Sequence, residues 1–138
     1  DRAMRDIDAR DIELVVCLAP MREIRAEAPK YAREIDDEDL PWEMWDMPIP
    51  DDGVPEDEEE FLDLARDVAE ELRDGANVMI HCFAGIGRTG TLATCTLMAL
   101  GMGKEEALRA VEEAGAGPET AAQLQLVDWA ARAIRYDR

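Results

Sequence analysis

The stretch His81-Cys82-Phe83-Ala84-Gly85-Ile86-Gly87-Arg88-Thr89-Gly90 sets the tightest limit on how this chain folds. It follows a short apolar run ending in Val78-Met79-Ile80, which reads as a buried strand over 76–81. It precedes Thr89 to Leu100, nearly all small or apolar, which reads as a buried helix over 89–100. A strand that passes through a glycine-rich turn straight into a helix implies a layered α/β arrangement. The turn then sits at the carboxyl end of the strand, where open sheets of this kind place their sites.

The remaining segments fit that architecture. Ile12 to Leu18 is a β-branched apolar run ended by Pro20, and reads as a second buried strand. Residues 21–39 form an acidic, partly helical segment broken at Pro29, and Pro41–Ile49 reads as a third strand. Pro48, Pro50, Gly53 and Pro55 mark a loop. Residues 56–73 form the clearest helix, with acid in its first turns and an apolar stripe through Phe61, Leu62, Ala65, Val68 and Leu72. Gly75 supplies its stop, and Lys104–Ala114 and Pro118–Tyr136 read as two more helices. Residues 1–11 carry apolar positions at helical spacing. Strands separated by helices pair in parallel. The expected fold is therefore one α/β domain spanning 1–138, with a mostly parallel central sheet and helices on both faces.

Charge narrows the partners. The 138 residues include 33 acidic and 15 basic side chains, for a net charge of −18, and only Lys30 and Lys104 are lysines. Such a surface repels nucleic acid and anionic lipid, so neither is an expected partner. A salt-adapted surface and a merely acidic, arginine-favouring composition both fit. The first requires stability to rise with added salt, and a melting temperature unchanged from dilute buffer to molar salt removes it. No apolar run reaches the roughly 20 residues of a membrane span, and nothing like a signal peptide opens the chain. Three cysteines point to a reducing compartment, the cytoplasm, rather than to a disulfide framework.

The glycine turn has a chemical reading. A loop that wraps a tetrahedral anion must aim successive backbone N–H groups inward, which glycines permit, and the following helix adds its positive end. Arg88 offers a planar fork for two phosphate oxygens. Cys82 at the base lies in that positive field, which favours its thiolate, a nucleophile placed beneath a bound phosphoryl group. The competing reading is a buried cysteine in a glycine-rich turn with an exposed arginine.

His-Cys, five residues, Arg, then Ser or Thr is the motif of the cysteine-dependent protein tyrosine phosphatase superfamily. His81, Cys82, Arg88 and Thr89 match it in full, and the chain resembles the small dual-specificity and archaeal-type members. The resemblance implies a phosphoprotein phosphatase acting on phosphotyrosine, with phosphoserine and phosphothreonine admitted by a shallow pocket. It implies a phosphocysteine intermediate, no cofactor and no metal. Phosphate would lie on the amides of Phe83, Ala84, Gly85, Ile86, Gly87 and Arg88. Thr89 would hydrogen-bond the sulfur of Cys82, and His81, the lone histidine, would orient the loop from a buried position. A general acid is expected about thirty residues upstream, in Pro48-Ile49-Pro50-Asp51-Asp52-Gly53-Val54-Pro55. Asp51 is the first choice, Asp52 its near rival, and Asp46 a more distant one within the expected strand. Gln123, in Pro118-Glu119-Thr120-Ala121-Ala122-Gln123, either helps place the hydrolytic water or is an exposed helix amide.

Cys17 and Cys95 read as inert core. Related domains add an edge strand before the segment with which this chain opens, so the domain is expected to lack it. Rival readings are an inactive phosphate-binding module, a phosphatase of RNA 5′ ends, nucleotides or small phosphate esters, and an arsenate reductase needing a second thiol near Cys82.

Overall fold

Leu14–Cys17 forms β1, four fully buried residues at the centre of a three-stranded sheet. Its apolar, β-branched composition suits a strand covered on both faces. Glu43–Asp46 (β2) pairs parallel to it on one side and Val78–His81 (β3) parallel on the other, giving the order β2-β1-β3. The computed structural model describes residues 11–37, 40–51, 53–82 and 86–136. Parallel strands need crossovers, and helices supply them here. Met21–Glu27 (α1) and Pro29–Asp36 (α2) lead from β1 to β2, and Glu58–Arg73 (α3) leads from β2 to β3. Gly87–Ala99 (α4), Lys104–Glu113 (α5) and Ala121–Tyr136 (α6) follow.

Side chains alternate across β1 and so divide the core in two. Leu14, Val16 and Leu18 join Phe61, Leu62, Ala65 and Val68 of α3, Leu92 of α4, Ala107 of α5 and Val127 of α6. Val15, Cys17 and Ala19 face the other way, onto Ile24 of α1, Tyr31 and Ala32 of α2, and Trp42. The expected parallel sheet with helices on both faces is what forms.

Helix α4 lies deepest, and a helix covered on every side must satisfy its polar groups internally. Its threonines do so by donating to carbonyls four residues back: Thr91 to Gly87, Thr94 to Gly90 and Thr96 to Leu92, at 2.6–2.8 Å. Gly90 has to be glycine because a Cβ there would fall 2.1 Å from the backbone nitrogen of Gly117. That contact brings the segment leading into α6 against the start of α4.

Element ends differ from the sequence reading where local capping decides them. The strand expected over 41–49 is hydrogen-bonded as β2 only at Glu43–Asp46, although Met47 and Ile49 still donate to Cys17 and Leu18 carbonyls. Helix α3 begins at Glu58 because the Asp57 carboxylate accepts from the Glu59 and Glu60 amides at 3.0 and 3.1 Å. Helix α4 begins at Gly87, two residues before the expected Thr89. Helix α6 begins at Ala121 rather than Pro118: the Thr120 hydroxyl accepts from the Gln123 amide, and the Gln123 side chain accepts from the Thr120 amide, a reciprocal cap. The helical spacing read in 1–11 lies, but for Asp11, outside the described residues. Among the described residues no helix is long and apolar enough to cross a membrane.

Candidate active site

The three strands run the same way, so Cys17, Asp46 and His81 end them on one edge, and the chain leaves that edge at Cys82. His81 and Cys82 are neighbours that leave the sheet toward different cores. Cys82 is half-buried and packs against the larger core. Its Sγ lies 3.0 Å from Thr89 Oγ1, in the first turn of α4. His81 is buried against the smaller core, with Nε2 3.0 Å from the Tyr31 hydroxyl and the two rings tilted at 53°. Burial lowers the His81 pKa to about 4 and raises that of Tyr31 well above its ordinary value, so both are neutral near pH 7.

Arg88 does not lie on the surface, as the competing reading required: its side chain is 1% exposed. Its Nη2 donates to Glu23 Oε1 at 2.7 Å, and its Nη1 donates to Glu23 Oε2 at 3.0 Å and to the Ile49 carbonyl at 2.9 Å. Asp51 Oδ1 stands 3.7 Å from Nη2. The hydrogen bonds to Glu23 raise the Arg88 pKa, with the negative charges of Cys82, Glu23 and Asp51 adding to them and burial opposing. A guanidinium held in this way keeps its plane and its charge.

Glu23 was not legible in the sequence. It stands 65 residues before Arg88, in the first turn of α1, among many other acidic residues. Tyr31 is unmarked in sequence for the same reason. Nothing local marks either residue, and only the packing of α1 and α2 on the smaller face brings them to the strand ends.

Asp51 lies in the loop after β2 with its carboxylate 50% exposed. Asp52 is outside the described residues. Asp46 ends β2 and lines a cavity of about 370 Å³ on the smaller face, together with Cys17, Ile24 and Trp42. Phe83, Ala84 and Gly85 are outside the described residues. Ile86 is exposed, whereas Gly87 is buried as the first residue of α4. The amides of both donate to Glu119 Oε1, at 3.1 and 2.7 Å.

Gln123 is not an exposed amide. It is 1% exposed, with Oε1 accepting from the Glu119 and Thr120 amides and Nε2 donating to the Gly53 carbonyl at 3.1 Å. It therefore ties the start of α6 to the loop that carries Asp51. A signal for this was present, since Thr-x-x-Gln is a capping-box pattern.

The other two thiols are buried. Cys17 is 1% exposed and Cys95 0% exposed, and burial pushes their pKa values up to about 11 and about 12. Cys17 packs in the smaller core and Cys82 against the larger, so the sheet divides them. Among the described residues no cluster of three or more His, Cys, Asp or Glu is arranged to hold a metal ion.

A sulfur beside a hydroxyl, a buried guanidinium and an acidic loop thus come together where the strands end. The family model described as "PTP-SAK: Swiss Army Knife protein, DSP-PTPase phosphatase domain" matches residues 1–136. The chain therefore belongs to the DSP-PTPase phosphatase domain family. It is similar to Tk-PTP in its active form, with 30% identity, a TM-score of 0.76, and coverage of 96% of this chain and 86% of that one. A glycine-to-alanine mutant form of Tk-PTP gives 32%, 0.79, 99% and 87%. A 47-residue stretch is 49% identical to the mouse (Mus musculus) tyrosine-protein phosphatase non-receptor type 4, covering 33% of this chain but 5% of that protein. A cysteine-to-serine form of TpbA from P. aeruginosa, in complex with pTyr, shares the fold at 21% identity and a TM-score of 0.62, covering 97% of this chain and 80% of that one.

Proposed function

We propose that this domain removes phosphate from phosphorylated proteins or peptides, with Cys82 as nucleophile and Asp51 as general acid. The observation that carries the reading is the 3.0 Å contact between Cys82 Sγ and Thr89 Oγ1, beside a buried Arg88 within 3.7 Å of Asp51. In the first step the Cys82 thiolate attacks phosphorus, a P–S bond forms and the ester P–O bond breaks. Asp51 gives its proton to the departing oxygen, so that an alcohol or phenol leaves. Arg88 and the amides of residues 83–87 hold the equatorial oxygens, and Glu23 keeps Arg88 aimed. In the second step water attacks phosphorus and Asp51 takes its proton. Sulfur departs as thiolate, steadied by the Thr89 hydroxyl. Gln123 serves the water step through its bond to Gly53, which fixes the Asp51 loop. His81, held by Tyr31, orients the loop without exchanging protons.

Phosphotyrosine heads the substrate class, with phosphoserine and phosphothreonine beside it. TpbA, similar in fold, was crystallised with pTyr. Cys17, Cys82 and Cys95 stand as thiols rather than disulfides, which fits a reducing compartment, taken here to be the cytoplasm. A module that binds phosphate without turnover is the second reading, since it would use the same loop and the same buried Arg88. An aryl phosphate assay on the wild type and Cys82→Ser separates the two. Turnover in the wild type, lost in the variant with phosphate binding retained, is the expected result. Full activity in the variant removes Cys82 as nucleophile, and an inactive wild type that binds phosphate leaves the second reading.

A further inference from the structure

Glu119 is an acid that the proposed reaction does not use, yet it sits on the phosphate loop. Its Oε1 accepts from the Gly87 amide at 2.7 Å and from the Ile86 amide at 3.1 Å. Those two N–H groups immediately precede Arg88, in the run of amides that would hold phosphoryl oxygens. One carboxylate oxygen thus occupies two N–H donors that the proposed reaction assigns to a phosphoryl group. The approach is built in from both sides. Gly87 lacks a Cβ, which would otherwise lie 2.9 Å from Glu119 Oε1 and 2.5 Å from Gln123 Oε1. The Gln123 side chain in turn holds the Glu119 backbone amide at 2.8 Å. Glu119 itself is an exposed residue, able to turn into solvent when an anion displaces it.

We propose that Glu119 is an internal competitor for the phosphoryl group, and that its displacement sets how tightly the site takes substrate. The inference rests on the phosphatase reading of the loop. Charge makes the competition strong. A phosphate dianion entering here meets Glu119 on the amides, with Glu23 and Asp51 already on Arg88, so one carboxylate must leave the donors that the anion needs. The carboxylate also satisfies two amide hydrogens when substrate is absent, which removes the cost of leaving them unpaired.

The test is titration of inorganic phosphate, at fixed pH and salt, onto Cys82→Ser and onto the same protein carrying Glu119→Gln or Glu119→Ala. Glutamine keeps the shape and loses the charge, whereas alanine removes the acceptor. Both are expected to bind phosphate about tenfold more tightly, the loss of one charge-assisted contact at its modest end. Unchanged or weaker binding in both, with Cys82→Ser itself binding phosphate, overturns the competition and leaves the phosphatase reading standing. No phosphate binding by any of the three proteins overturns both.

Discussion

The two faces of the sheet differ in kind. The larger face is a closed hydrocarbon core, in which α3 to α6 stack Phe61, Leu62, Val68, Leu92 and Val127 against Leu14, Val16 and Leu18. The smaller face, under α1 and α2, holds a Tyr–His pair and a cavity of about 370 Å³. It also holds the indole nitrogen of Trp42, which has no hydrogen-bond partner among the described residues. Both faces end at the same strand edge. The larger face supplies Cys82 and Thr89 on a rigid base. The smaller face supplies the polar supports, Glu23 to Arg88 and Tyr31 to His81. A dense core can place a nucleophile to a fraction of an ångström. Orienting a charge requires polar partners, which such a core excludes.

The sharpest way to break this contrast is through the two aspartates. Asp51→Asn should slow turnover of esters with poor leaving groups by roughly 10²–10⁴-fold, while Asp46→Asn, on the smaller face, should leave it nearly unchanged. The ratio of kcat/KM for an alkyl phosphate to that for an activated aryl phosphate measures this. A large loss in Asp46→Asn with none in Asp51→Asn would move the proton donor to the smaller face.

Truncation tests the packing difference. Leu92 and Ile24 are both almost wholly buried, but Ile24 borders the cavity whereas Leu92 lies in the dense core. Leu92→Ala should therefore cost toward the upper end of about 2–5 kcal/mol, and Ile24→Ala toward the lower, by urea unfolding. Equal costs would mean that the two cores are packed alike.

The last expected effect, confined to acid pH, comes from His81. Its pKa falls to about 4 in the folded state from 6.5 in the open chain. The unfolded chain then binds more protons between those values, so this histidine lowers stability as pH drops from 6.5 toward 4 and has no effect above 6.5. The full cost is at most about 3 kcal/mol. His81→Gln should flatten that part of the stability curve relative to wild type. An unchanged slope between pH 4 and 6.5 would show that the histidine does not shape the curve.

Much of this was legible along the chain, because its signals are local. The run Ile12 to Leu18, the apolar stripe of 56–73 and the small residues of 89–100 each carry their own periodicity, and the cores divide as that alternation implies. Cys82, Arg88 and Thr89 were marked by fixed spacing, which a strand–turn–helix converts directly into geometry. Helix starts were less legible: Asp57 and the Thr120–Gln123 box act through side chains that periodicity does not weigh. The burial of Gln123 has no local mark, since an amide near a helix start is as often exposed, and its three side-chain hydrogen bonds come from packing.

The order of residues by itself determined the parallel sheet and the place of the sulfur, just past a strand's carboxyl end and ahead of a helix. Each depends on short-range patterns in the chain and on the short reach of backbone hydrogen bonds. Asp51 was named from its loop, but only the tertiary structure showed which of the 33 acids pair with Arg88 and the Gly87 amide. Glu23 reaches Arg88 across 65 residues, and Glu119 reaches Gly87 across 32. A carboxylate carries no mark of its partner in sequence. Its role is set by the charge or N–H group that packing brings within about 3 Å, the reach of a hydrogen bond, and that approach exists only once both cores have closed.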